Sequence, residues 1–142
     1  MEYCSAVWNP HLIKDIKLIE GVQERITKSI WGISNLPYGE RLKVLKLPTL
    51  EDRRIRGQLI QLFKFMKGLD KVDLNEYITL DTGRNLRGNN MRIFKSRFRT
   101  DVGKFSFVNR IVELWNKLPQ NVVESMNVET FKVRLDAYNG GI

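Results

Sequence analysis

Residues 84–119 read RNLRGNNMRIFKSRFRTDVGKFSFVNRIVELWNKLP, and the fold turns on where this stretch changes character. Met91 to Phe98 reads as extended chain, followed by a turn near Asp101 to Gly103 and a second extended piece at Lys104–Phe105. From Ser106 the period changes. Phe107, Val108, Ile111, Val112, Trp115 and Leu118 line one face of a helix, which Ser106 caps and Pro119 closes. Two strands alone are not stable in water, so a hairpin here needs that helix behind it.

The same stretch carries the charge. In its first part, Arg84 to Arg110, the cations Arg84, Arg87, Arg92, Lys95, Arg97, Arg99, Lys104 and Arg110 face a single acid, Asp101, which gives +7 of the chain's total of +8. Charge concentrated in this way describes a partner more than a fold. Cations grip phosphates by releasing counterions, and aromatic rings between them can stack on unpaired bases. Phe94, Phe98, Phe105 and Phe107 are placed for that. The plainer reading makes these rings core and the cations a solvated rim.

Working outward, Asn127 caps a last helix with Val128, Phe131, Leu135 and Tyr138 in steps of three and four. On the other side, Leu69 to Asn90 is polar, with Gly83, Gly88 and Asn89–Asn90, and reads as a linker with room for a short helix at Leu74–Ile78. Before it, Thr49 reads as the N-cap of a helix whose first turn holds Glu51 and Asp52 and whose end is Gly68. Leu50, Ile55, Leu59, Leu62, Phe63 and Met66 point inward. Arg53, Arg54 and Arg56 read as partners of the neighbouring acids. Pro37 opens a short helix over Tyr38–Lys46. Leu12, Ile16, Ile19, Val22, Ile26, Ile30 and Ile33 form one helical stripe. The expectation is a mainly α chain of four to five helices with a small β-hairpin in the basic C-terminal half. Residues 1–68 form a helical part, 69–90 a polar linker, and 91–142 the basic hairpin plus two helices.

Composition narrows the function classes. At 142 residues, 42% hydrophobic and 28% charged, the chain can bury a core. Its apolar runs are too short to span a membrane, and its N-terminus lacks a secretory pattern. Cys4 and His11 are the sole residues of their types. That excludes an internal disulfide and a zinc site, and favours a reducing intracellular compartment, cytoplasm or nucleus. No cofactor or nucleotide-binding motif is present, and no spacing of residues suggests catalysis.

Three blocks resemble one family. The first is Glu2-Tyr3-Cys4-Ser5, Val7-Trp8-Asn9-Pro10-His11, and the second runs from Tyr38-Gly39-Glu40-Arg41-Leu42 to Gly57. The third holds Arg87-Gly88, Arg92-Ile93-Phe94-Lys95, Arg97, Arg99-Thr100-Asp101, Lys104, Phe107, Asn109-Arg110-Ile111-Val112, Leu114-Trp115-Asn116 and Leu118-Pro119. In this order they resemble the C-terminal, thumb or post-thumb region of reverse transcriptases from non-LTR (LINE-type, Jockey-like) retrotransposons. Such enzymes copy RNA into DNA with metal-binding aspartates, typically in a Tyr/Phe-x-Asp-Asp motif. This sequence has no Asp-Asp pair. The resemblance therefore implies a truncated reading frame, with no catalytic residues, that neither polymerises nor cuts alone. It would bind template RNA or an RNA/DNA primer–template through the eight cations named above. The alternative is a scaffold that packs on absent polymerase domains, binds nothing alone and self-associates through Tyr3, Val7 and Trp8.

Overall fold

Thr49 shows why a helix begins where it does. Its Oγ accepts the Asp52 amide at 3.1 Å while its hydroxyl donates to the Asp52 carboxylate at 2.6 Å. This cap satisfies an amide that the helix cannot. The computed structural model describes residues 8–70, 78–81, 89–95, 100, 103 and 105–140. Among these run α1 (Ile13–Lys28), α2 (Tyr38–Leu45), α3 (Leu50–Met66), α4 (Phe107–Lys117), α5 (Gln120–Val123) and α6 (Val128–Tyr138). The chain divides into two compact units, Met1–Arg56 and Gly57–Gly141.

In the first unit, polar groups join the helices. Glu20 of α1 accepts the Leu50 amide at 3.0 Å, at the N-terminus of α3, and also the Tyr38 hydroxyl. Gln23 donates to the Pro48 carbonyl at 3.0 Å. Arg41, 3% exposed, donates to the Glu24 carbonyl at 3.0 Å and lies over the Tyr38 ring. Burial, and then the Glu20 carboxylate, push the Tyr38 hydroxyl well above the usual tyrosine range.

Helix α2 ends one residue before the expected Lys46. Lys46 takes φ 52°, and the Leu47 amide reaches back to the Leu42 carbonyl at 2.9 Å, a Schellman closure on a lysine. Helix α1 stops at Lys28, short of the expected Ile33. The Ser29 hydroxyl takes the Ile26 carbonyl at 2.8 Å, and Gly32 at φ 87° turns the chain. Its apolar stripe is only partly covered: Ile16, Ile19, Val22 and Ile33 are half-buried. Thr27 is the buried residue of α1, whereas Leu12, Ile26 and Ile30 are exposed.

The second unit has an aromatic core. Phe63, Trp115 and Phe131 are fully buried, with Phe63 stacked on Phe131 at 4.2 Å between centroids and Trp115 tilted against it at 6.1 Å. Burying each such ring contributes about 1.5–3 kcal/mol. Leu59, Leu62, Ile93, Ile111, Val112, Leu118, Val122, Val123 and Leu135 close around them. Gly68 at φ 64° ends α3, as its position in the sequence implies. Asn127 caps α6, accepting the Thr130 amide at 2.8 Å. Ser106 stands at the N-cap of α4, but its side chain makes no capping bond. The single turn α5 is an addition to the sequence reading. Pro119 leads into it, and it buries Val122 and Val123.

The expected hairpin is not seen. Among the described residues there is no strand, and Phe105 lies in the turn that enters α4. The extended residues 91–95 pair instead with 78–81, through one antiparallel bridge between Leu80 and Ile93. The Asp81 amide donates to the Arg92 carbonyl at 2.9 Å and the Phe94 amide to the Thr79 carbonyl at 2.8 Å. The physical reason is hydrophobic: Ile78 and Ile93 both reach the core, at 7% and 2% exposure, and bring their backbones together. Residues 96–99, 101–102 and 104 of the expected hairpin, and 71–77 of the short helix at Leu74–Ile78, lie outside the described residues.

Candidate nucleic-acid interface

Among the described residues, 89–95 have few backbone partners, and side chains supply most of the rest. The Asn89 amide, buried, donates to the Trp115 and Leu118 carbonyls at 3.2 and 3.0 Å and so caps the C-terminus of α4. The Asn90 backbone amide donates to Gln120 Oε1 at 2.8 Å, and its side chain to Glu124 at 2.9 Å. Trp115 Nε1 donates to the Met91 carbonyl at 2.8 Å.

Asn116 makes the decisive contact. The Leu80–Ile93 bridge is flanked by its two hydrogen bonds, so the Ile93 amide and carbonyl point away from Leu80. The Asn116 carboxamide takes both: Oδ1 accepts the Ile93 amide at 2.9 Å, and Nδ2 donates to the Ile93 carbonyl at 2.9 Å. One side chain thus stands in for a neighbouring strand.

This anchoring fixes which way the next side chains face. Ile93 points into the core, so Arg92 and Phe94 lie on the opposite face by the alternation of extended chain. Phe94 is 58% exposed. Arg92 is half-buried, and its buried Nε has no acceptor among the described residues. Asp81 stands across from Arg92 in the pairing. Lys95 is exposed and forms an ion pair with Glu113, one turn before Asn116 on α4. The hydrogen bond from Lys95, then its charge, hold the Glu113 carboxyl below the usual range, with Lys117 adding a smaller effect. Arg110 lies one turn before Glu113. It is half-buried, and loss of water lowers its pKa.

Of the eight cations expected at the interface, Arg92, Lys95 and Arg110 are therefore described. Lys95 and Arg110 converge on the α4 face that carries Glu113, and Arg92 is on the far side of the extended segment. Arg84, Arg87, Arg97, Arg99 and Lys104 lie outside the described residues. Sequence reasoning missed Lys117, which follows Glu113 by one helical turn and joins this face; the i, i+4 spacing carries that signal. It also treated Phe94 with the other rings, although the core position belongs to Ile93. Among the described residues, no cluster of His, Cys, Asp or Glu could hold a metal ion, and no helix is long and apolar enough to cross a membrane.

Comparison with protein-family models, curated proteins and solved structures finds no match to this chain.

Proposed function

We propose that the chain is a non-catalytic nucleic-acid-binding segment, corresponding to the C-terminal region of a non-LTR retrotransposon reverse transcriptase. It holds template RNA or a primer–template duplex inside the cell, in cytoplasm or nucleus. The observation that carries this reading is the net +7 between Arg84 and Arg110 in a chain of net +8. The pinned segment 89–95 supports it, because a fixed backbone presents Lys95 and Arg92 without the entropy cost of ordering a loop. Binding is led by phosphates and shape, with little base preference.

The test is fluorescence anisotropy with a structured RNA, a duplex and a single strand at rising salt. Reversal of Arg97 and Arg99 to glutamate removes two phosphate contacts and flattens the log–log salt slope by about 1.4–1.8. A folded wild-type protein that binds none of these at low salt would sink the reading.

One observation favours a second reading, a scaffold that packs on polymerase domains and binds nothing alone. The first unit carries an apolar groove of about 300 Å3, lined by Ile26, Ile30, Leu45, Leu47 and Leu50 among others. Trp31 nearby in sequence is 97% exposed. Size-exclusion chromatography decides: self-association that Ile26→Glu abolishes, without any nucleic-acid binding, selects the scaffold.

A further inference from the structure

We infer that Phe94 is a stacking platform for an unpaired nucleobase, so that the interface prefers single-stranded nucleic acid to blunt duplex. The inference rests on the nucleic-acid reading above and adds the part of the ligand that is recognised.

A phenylalanine side chain is more often buried than exposed. Phe94 is instead 58% exposed, while its neighbour Ile93 is 2% exposed. Nor is this exposure a loose end. The Phe94 amide is bonded to the Thr79 carbonyl at 2.8 Å, and the preceding residue is held on its other edge by Asn116. The backbone under the ring is fixed on both sides. Changing which face the ring occupies would require a one-residue slip, which would take Ile93 out of the core.

The surroundings of the ring define what it can hold. Arg92 precedes it by two residues on the same face, and its buried Nε lacks an acceptor among the described residues. Lys95 follows it and is exposed. Lys95 itself turns to the α4 side, so the ring's own face carries one cation, Arg92, and a flat apolar surface beside it matches a base and its adjoining phosphate. Within a duplex the base faces are covered by their neighbours, so the ring finds a face only at the two ends. An unpaired base in RNA or in DNA presents the same face, and the chemistry recognised is common to both.

The experiment uses the full chain and labelled probes of one sequence: single-stranded RNA, single-stranded DNA and a blunt duplex. Phe94→Ala is expected to weaken single-strand binding about tenfold, the effect of one base–aromatic stack. Duplex affinity stays within about twofold, and Phe94→Trp retains the wild-type values. The salt slope is unchanged in both variants, because no charge is lost. An abasic single strand should bind wild type and Phe94→Ala alike. Loss with RNA alone assigns the base to RNA, and equal loss with both strands assigns it to either. Circular dichroism and the thermal midpoint establish that the variants are folded, as expected for an exposed side chain. Equal single-strand affinities of Phe94→Ala and wild type would overturn the stacking role and leave the phosphate grip standing. So would a loss shared equally with the duplex. A wild-type protein that binds no probe overturns both.

Discussion

Replacing Asn116 by alanine tests how the basic segment is held. The substitution removes two hydrogen bonds of 2.9 Å to Ile93 and leaves the amide and carbonyl of a 2% exposed residue without partners. Each lost bond costs about 1 kcal/mol net, and each backbone group left dry adds up to about as much again, so the expected loss is about 2–4 kcal/mol. The lower end applies if water enters where the side chain stood. Asparagine is also the side chain that fits: in Asn116→Asp the oxygen still accepts the Ile93 amide, but an ionised carboxylate then faces the Ile93 carbonyl. It should be no better than alanine at neutral pH.

Urea unfolding followed by tryptophan emission measures this. Trp115 is fully buried, while Trp31 is 97% and Trp8 41% exposed, so a background of Trp8→Phe and Trp31→Phe isolates the core reporter. Hydrogen exchange at the Ile93 amide gives the local readout and should lose its protection in Asn116→Ala. A stability within about 0.5 kcal/mol of wild type, together with an amide still protected, would refute the strand-surrogate role.

Two further outcomes follow from the same geometry. Glu113 has a folded pKa below its ordinary 4.5, so its pair with Lys95 stabilises above that value and the contribution disappears as pH falls through the folded pKa. Lys95→Met should return the Glu113 carboxyl titration, followed by NMR, toward the ordinary value; an unchanged midpoint would dissolve the pair. Gln58, 2% exposed, has an Nε2 with no acceptor among the described residues, so Gln58→Met of similar volume should stabilise by about 1 kcal/mol in urea unfolding. A loss of that size instead would mean that the amide is satisfied.

Local signals carried far. The Thr49 and Asn127 caps, the Gly68 stop and the inward face of α4 follow from side chains that act within one turn, and the structure has each of them. The apolar stripe of α1 was equally legible as a pattern, but periodicity says only that a face is apolar. What covers it is a separate fact, and within the first unit Leu12, Ile26 and Ile30 stay exposed. The hairpin failed for a related reason. Extended segments in a basic stretch do not name their partners, and Ile78, some distance back in a segment read as linker, competes for the bridge through its burial.

The sequence by itself determined that this chain is mainly helical and that its charge is gathered into one stretch. Helix stripes, caps and net charge are properties of neighbouring residues and need no long-range contact to be read. Tertiary structure alone decided that 91–95 pairs with 78–81, that Asn116 serves as its other strand, and that Phe94 rather than Ile93 faces outward. Those outcomes depend on which distant backbone groups burial brings within 3 Å of each other. In extended chain a shift of one residue exchanges the two faces, so the candidate site was fixed only when the core chose Ile93.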